Sequence, residues 1–257
     1  MSIDVMESLI AQGNVDTDDL ASRFAASYRW SRGYGPGASK VLKRIANGER
    51  WEQASRSVYR DGSFGNGAAM RAPVIGLFFA HKPREIDGAA RMSAIVTHAH
   101  PLGIEGAALI AHATAGAARG DSTEAILQLV SEHCESDSMT SRIAIAQKWL
   151  ASSNDVRPVD IARQLGHGIA ASESCITALY LALRFRDTDF LAMQQMVAAM
   201  GGDADTIGAM AGAIWGAANG VPPVPAELLI RLEQRERLST LAAALYRQTC
   251  NTANVIA

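Results

Sequence analysis

Apolar residues recur along this chain at spacings of three and four, the period that gathers them on one face of an α-helix. Ile3, Met6, Leu9 and Ile10 mark a first helix that ends near Gly13, and Leu20, Phe24 and Tyr28 mark a second from Asp16 to Trp30. A third runs through Val41, Leu42 and Ile45 and stops near Gly48. An apolar segment covers 68–80, and alanine-rich helices are predicted over 85–98 and 103–119, with Pro101 between them. Further helices are predicted over 122–134, 138–151, 158–165, 173–185, 189–200 and 206–218. A last one runs from Pro225 to near Cys250, with Leu228, Leu232, Leu238, Leu241 and Leu245 as its apolar stripe. No segment alternates as a strand does, no repeat is evident, and Pro and Gly fall between helices instead of clustering into a linker. The expectation is one compact all-α, multi-helix domain over residues 1–257. The Ala- and Gly-rich helices at 103–119 and 206–218 should lie at its centre, because small side chains let helix backbones approach closely.

Composition adds little to this picture but removes several alternatives. Hydrophobic residues make up 48% and charged residues 19%, a balance that suits a soluble protein with a substantial core. The net charge of −2 supplies no positive field to attract nucleic acid or an anionic membrane. Cys134, Cys175 and Cys250 are widely spaced; without a CxxC pair or an even disulfide framework, a reducing cytoplasm is the expected location. The N-terminal MSIDVMESLIAQG lacks the basic start and apolar core of a signal peptide. No apolar run is long enough to span a bilayer.

Three breaks between helices carry candidate chemistry. Gly201-Gly202-Asp203-Ala204-Asp205-Thr206 places two carboxylates and a hydroxyl at a helix start. Oxygen donors of this kind suit a hard cation, while an acidic N-cap accounts equally well for the two aspartates. Gly62-Ser63-Phe64-Gly65-Asn66-Gly67 has the glycines that let backbone N–H groups converge on an anion, and a plain turn would need them as well. Thr97-His98-Ala99-His100-Pro101 holds two histidines that cannot share a helix face. His98 is read as a hydrogen-bond donor to a ligand, and His100 as a structural residue closing a helix. Gly33-Tyr34-Gly35-Pro36-Gly37 is a further loop able to approach phosphates, or a plain interhelical turn.

Together and in this order, RGYGPG at 32–37, GSFGNGAAMR at 62–71, THAHPLGIEGA at 97–107 and GGDADTIGAMAGAIWGA at 201–217 resemble the ADP-ribosylglycohydrolase family. The resemblance covers essentially the whole chain, and its second and fourth segments are specific. It implies an all-α fold with a cleft for two Mg²⁺ ions, or Mn²⁺ in some members. It further implies hydrolysis of the glycosidic bond joining ADP-ribose to a protein side chain or a small molecule, so an ADP-ribosylated protein or ADP-ribose conjugate is the implied partner. Asp203, Asp205 and Thr206 match metal ligands, the two aspartates forming the catalytic pair. Gly62, Ser63, Gly65, Asn66 and Gly67 match the loop around diphosphate and ribose, and Phe64 a ring that stacks on adenine. Gly35 matches a phosphate contact and His98 the ribose end of the cleft.

One departure stands out. The family carries a Thr-Asp-Asp-Thr metal segment just before the helix that begins here at Met1, and the sequence does not contain it. Asp16-Thr17-Asp18-Asp19 sits one helix too late and reads as an N-capping cluster. With two carboxylates facing four positive charges, at least one of the two ions is expected to bind weakly or not at all. The expectation is an N-terminally truncated hydrolase; a natural short form, binding ADP-ribose without turnover or serving a crystallin-like structural role, is the alternative.

Overall fold

The structure, a computed structural model, describes residues 1–152, 155–221 and 223–253. Among them it contains fifteen α-helices: α1 Ser2–Gln12, α2 Thr17–Ser27, α3 Pro36–Ala46, α4 Trp51–Ser57, α5 Ala72–Phe78, α6 Ile86–Ile95, α7 Pro101–Arg119, α8 Thr123–Glu132, α9 Asp137–Leu150, α10 Pro158–Gln164, α11 Ala171–Arg184, α12 Phe190–Met200, α13 Ala204–Asn219, α14 Ala226–Arg231 and α15 Arg235–Ala253. The all-α expectation holds. β-type pairing is limited, among the described residues, to an isolated antiparallel bridge between Gly65 and Ala170. No helix of the described residues is long and apolar enough to cross a membrane.

Helix α7 is the axis of the molecule, and α5, α6, α8, α11 and α13 pack around it. Its sequence explains why. From Gly106 to Ala117 every residue is buried, and most of them are Ala or Gly. The close approach is visible atom by atom: a Cβ on Gly76 of α5 would lie 2.3 Å from the Ala111 carbonyl, and one on Gly106 would lie 2.8 Å from the Ala171 Cβ. Both distances are shorter than non-bonded atoms tolerate, so these glycines set the helix separations. Helix α11 is enclosed almost all round, from Ala171 to Leu183, and brings the larger Leu179, Tyr180 and Leu181 against its small-residue neighbours.

The sequence reading needs three local corrections. Helix α2 ends at Ser27 and a 3₁₀ turn occupies Trp30–Arg32. The short α4 has no predicted counterpart; its Trp51 indole N–H donates to Asp18 Oδ1 over 2.7 Å, a tertiary bond that a local pattern does not register. The long final helix is two helices. Leu232 is extended and Gln234 has φ of 57°, a left-handed conformation costly for a side-chain-bearing residue. A bidentate pair between the Arg32 guanidinium and Glu233, at 2.6 and 2.7 Å, holds the break. The predicted stripe therefore divides: Leu245 is buried on the α15 side, while Leu228 and Leu232 are exposed.

Candidate functional site

Apart from Gly35, the predicted site residues come from three loops that converge at the N-terminal ends of α7, α11 and α13. Gly62 is buried with φ of 84°, and a Cβ there would lie 2.5 Å from the His100 backbone nitrogen. Gly103, in the first turn of α7, faces the Ser63 carbonyl just as closely, at 2.7 Å. Loop 62–67 is thus wedged against the start of α7. On its other side the Asn66 N–H donates to the Ile169 carbonyl, and the Ala171 N–H to the Phe64 carbonyl.

Asp203 occupies the N-cap position of α13, yet its side chain makes no capping bond. Instead Oδ2 accepts from the Asn66 amide at 2.6 Å, and Oδ1 accepts from the Thr206 hydroxyl at 3.1 Å. Asn66 Nδ2 also donates to the Ser174 hydroxyl at 3.0 Å, which fixes its orientation. Two successive left-handed glycines, Gly201 and Gly202, bring the chain to this point. A Cβ on Gly202 would stand 2.2 Å from the His167 carbonyl, which itself accepts from the Asp203 N–H at 2.8 Å. The chain passes so close beneath His167 that glycine is the residue that fits. Thr206 is buried, Asp203 half-buried and Asp205 exposed.

His98 is buried beside the same loop. A Cβ on Gly67 would lie 2.8 Å from its Nε2, so the absence of a side chain keeps that nitrogen facing the loop. Arg71 Nη2 donates to Thr97 Oγ1 (3.0 Å), and the same hydroxyl is hydrogen-bonded to His98 Nδ1 at 2.8 Å, which fixes the plane of the ring. Burial first, and the nearby Arg71 charge second, push the His98 pKa down to about 3, so the ring is neutral. Arg71 is itself buried; among the described residues no carboxylate hydrogen-bonds to it, though the Asp4 charge acts on it from a distance. It donates to the Gly67 and Ser93 carbonyls and lies over the Phe24 ring, 4.8 Å from the centroid. Burial lowers its pKa to about 9, which leaves it charged at neutral pH.

The remaining predicted residues are placed differently. Phe64 is half exposed and meets His100 in a T-shaped contact. Gly35 begins α3 and is exposed. Among the described residues no hydrogen bond links Gly35 or Asp205 to Asn66, Asp203 or His98. Two loop amides expected to be free for an anion are occupied: Gly65 N–H donates to Ser63 Oγ, and Asn66 N–H to Ile169. His100 is structural as expected, but it opens a helix instead of closing one, since Nδ1 accepts from the Leu102 N–H. Asp16 likewise caps α2, accepting from the Asp18 and Asp19 N–H groups.

Thr97, Arg71, His167 and Ser174 are partners that the sequence reading did not single out. The Gly166-His167-Gly168 triplet was the available signal, a histidine between two glycines just before a helix. A cluster able to share a metal ion was also missed. Among the described residues, Asp87, His112 and His133 are the group of His, Cys and carboxylate side chains near enough together to do so.

The profile of the family described as ADP-ribosylglycohydrolase matches residues 1–254. The human ADP-ribosylhydrolase ARH3 is 34% identical over 276 residues, which cover 95% of this chain and 76% of that protein. The mouse ARH3 is also 34% identical, over 95% of this chain and 74% of its own length. An uncharacterized protein of Archaeoglobus fulgidus is 30% identical over 93% and 76%. Among solved structures, a chain of an ADP-ribosylglycohydrolase-related protein complex superposes with a TM-score of 0.74 at 26% identity, covering 96% of this chain and 79% of that one. The chain belongs to the ADP-ribosylglycohydrolase family, and it is a hydrolase of that type.

Proposed function

We propose that this chain hydrolyses the glycosidic bond linking ADP-ribose to a protein side chain or a small molecule, assisted by Mg²⁺ at Asp203, Asp205 and Thr206. The observation that carries the reading is the Asp203 carboxylate. It stands at a helix start and is not spent on the helix's own amides; a partner 137 residues away in sequence orients it. The donor set fits a hard cation: two carboxylates and a hydroxyl are all oxygen ligands. Thr206 donates to Asp203, which leaves the lone pairs of its hydroxyl available. Two negative charges balance one divalent ion, so a second ion would call for further carboxylates. When bound, the cation supplies Lewis-acid stabilisation of charge near the anomeric carbon and lowers the pKa of a bound water.

The protein's own groups do the positioning. Asn66 fixes Asp203, and Ser174 fixes Asn66. Neutral His98 turns Nε2 toward the space that Gly65 and Gly67 leave open, where it can hydrogen-bond a ribose hydroxyl. The charge of Arg71, held beneath the loop with no carboxylate hydrogen-bonded to it among the described residues, biases that space toward an anionic group such as a diphosphate. Phe64 presents a ring face for a base to stack on. Buried free thiols at Cys134 and Cys175 suit a reducing compartment such as the cytoplasm.

The test is ADP-ribose release from arginine-linked, serine-linked and O-acetyl conjugates, with Mg²⁺ and then with EDTA. Release that EDTA abolishes supports the reading. Binding of ADP-ribose without release on any linkage would overturn it in favour of a binding protein.

A further inference from the structure

We propose that Asp87, His112 and His133 form a second metal site, for a borderline transition ion of the Zn²⁺ class, chemically separate from the oxygen-ligated site at Asp203. The three side chains come from different elements: Asp87 from the first turn of α6, His112 from the middle of α7 and His133 from the C-terminal cap of α8. His112 Nε2 lies 2.9 Å from Asp87 Oδ1, and His133 Nε2 lies 3.3 Å from Asp87 Oδ2. One ligand atom from each residue falls within 4.8 Å of the other two. Tetrahedral zinc with bonds of about 2.0–2.1 Å separates its ligand atoms by roughly 3.3 Å, near the two carboxylate–imidazole distances.

The hydrogen positions favour an ion. His133 Nδ1 lies 2.8 Å from the Leu129 carbonyl, which can only accept, so the ring hydrogen is on Nδ1. Nε2 then turns a lone pair toward a carboxylate that also has only lone pairs to offer. A cation between them converts this opposition into two bonds. The Nδ1–H to carbonyl contact is also the outer support that metal-bound histidines characteristically have. The alternative is a second proton on His133, giving an ion pair in which the two imidazole rings stand 3.9 Å apart at 37°. His112 Nδ1 is buried without a partner. Binding gains nothing there, so affinity rests mainly on His133 and Asp87.

Imidazole nitrogen with one carboxylate prefers zinc-class ions, and an all-oxygen set prefers magnesium. The two sites should therefore fill with different metals from a mixture. Half-exposed Asp87 keeps one side open to water, so a bound ion would hold a solvent ligand in its fourth position. The bound ion would join α6, α7 and α8. It would sit on the same helix whose first turn wedges loop 62–67, so its expected consequence is stability of the scaffold behind the catalytic loop.

The experiment is a Zn²⁺ titration of the full chain in excess Mg²⁺, read by competition with a chromogenic chelator and by thermal melting. The expected result is one Zn²⁺ equivalent with a raised Tm. Both effects should be weakened at least tenfold by Asp87→Asn and by His133→Gln, and both should survive Asp203→Asn. No stoichiometric binding overturns the site, as does binding that both variants leave unchanged or that Asp203→Asn removes. Should His133→Gln fail to fold, Asp87→Asn decides the question, because its side chain is half exposed and the asparagine oxygen can still accept from the buried His112 ring.

Discussion

Asp16 and Asp203 occupy the same position in two helices of one molecule and behave in opposite ways. Asp16 caps α2 by the ordinary route, one carboxylate oxygen accepting from the Asp18 and Asp19 N–H groups. Asp203 begins α13 with no such bond and turns both oxygens toward Asn66 and Thr206. A helix start left without its cap forgoes about 1 kcal/mol; several other helices here also lack a side-chain cap, and Asp203 differs in having both oxygens bonded elsewhere. An acidic residue at a helix start is therefore uninformative alone. Where its oxygens point separates structural support from chemistry.

The largest effect that should divide the two is on turnover. Asp203→Ala is expected to lower ADP-ribose release by more than roughly 100-fold, since it removes a charge and not merely a supporting contact. Its stability should fall by about 1–3 kcal/mol, because buried Asn66 and Thr206 lose their acceptor; equal losses of activity in Asp203→Ala and Asp16→Ala would erase the distinction. Asn66→Ala tests the support of Asp203. It leaves Ser174 and Asp203 short of a donor, so release should fall roughly 10–100-fold, with a stability cost of about 1–3 kcal/mol. Unchanged kinetics in that variant would mean that Asp203 needs no orienting partner.

Acid offers a third separation, through the neutral histidine on the Asp203 side. The folded chain holds His98 near a pKa of about 3, against 6.5 for an ordinary histidine. Between those values the unfolded chain binds a proton that the folded chain refuses. The contribution of His98 is thus complete above the ordinary value and is lost as pH falls below it, by up to about 1.4 kcal/mol per pH unit. Unfolding free energies measured from pH 7 to pH 4 should fall less steeply in His98→Gln than in the parent. Equal slopes, or an NMR titration of His98 near neutrality, would contradict this. The smallest effect is on the plain cap. Asp16→Ala should cost about 1 kcal/mol of stability and leave ADP-ribose release within twofold.

Much of this architecture was legible because apolar spacing reports on helices that bury one face or, like α7, every face. Asp16-Thr17-Asp18-Asp19 was legible as a cap because its bonds are local. The carboxylates, the glycine loop and His98 stood out as motifs, and the structure draws Asn66, Asp203 and Thr206 together. What sequence could not supply was anything held by distant partners. The break at Gln234 depends on Arg32 from the other end of the chain. The Asp87, His112 and His133 cluster has no recognisable spacing because three helices assemble it. The occupied amide of Asn66 reflects a bridge to Ala170 that no local pattern announces.

The bond from Asn66 to Asp203 also has a kinetic meaning. It closes a loop of 137 residues, and such a closure is costly until the helices between are already ordered. During refolding, helical circular dichroism should return first and hydrolysis last. A nascent chain would therefore remain catalytically silent until its C-terminal third has docked, so that activity itself reports completed folding.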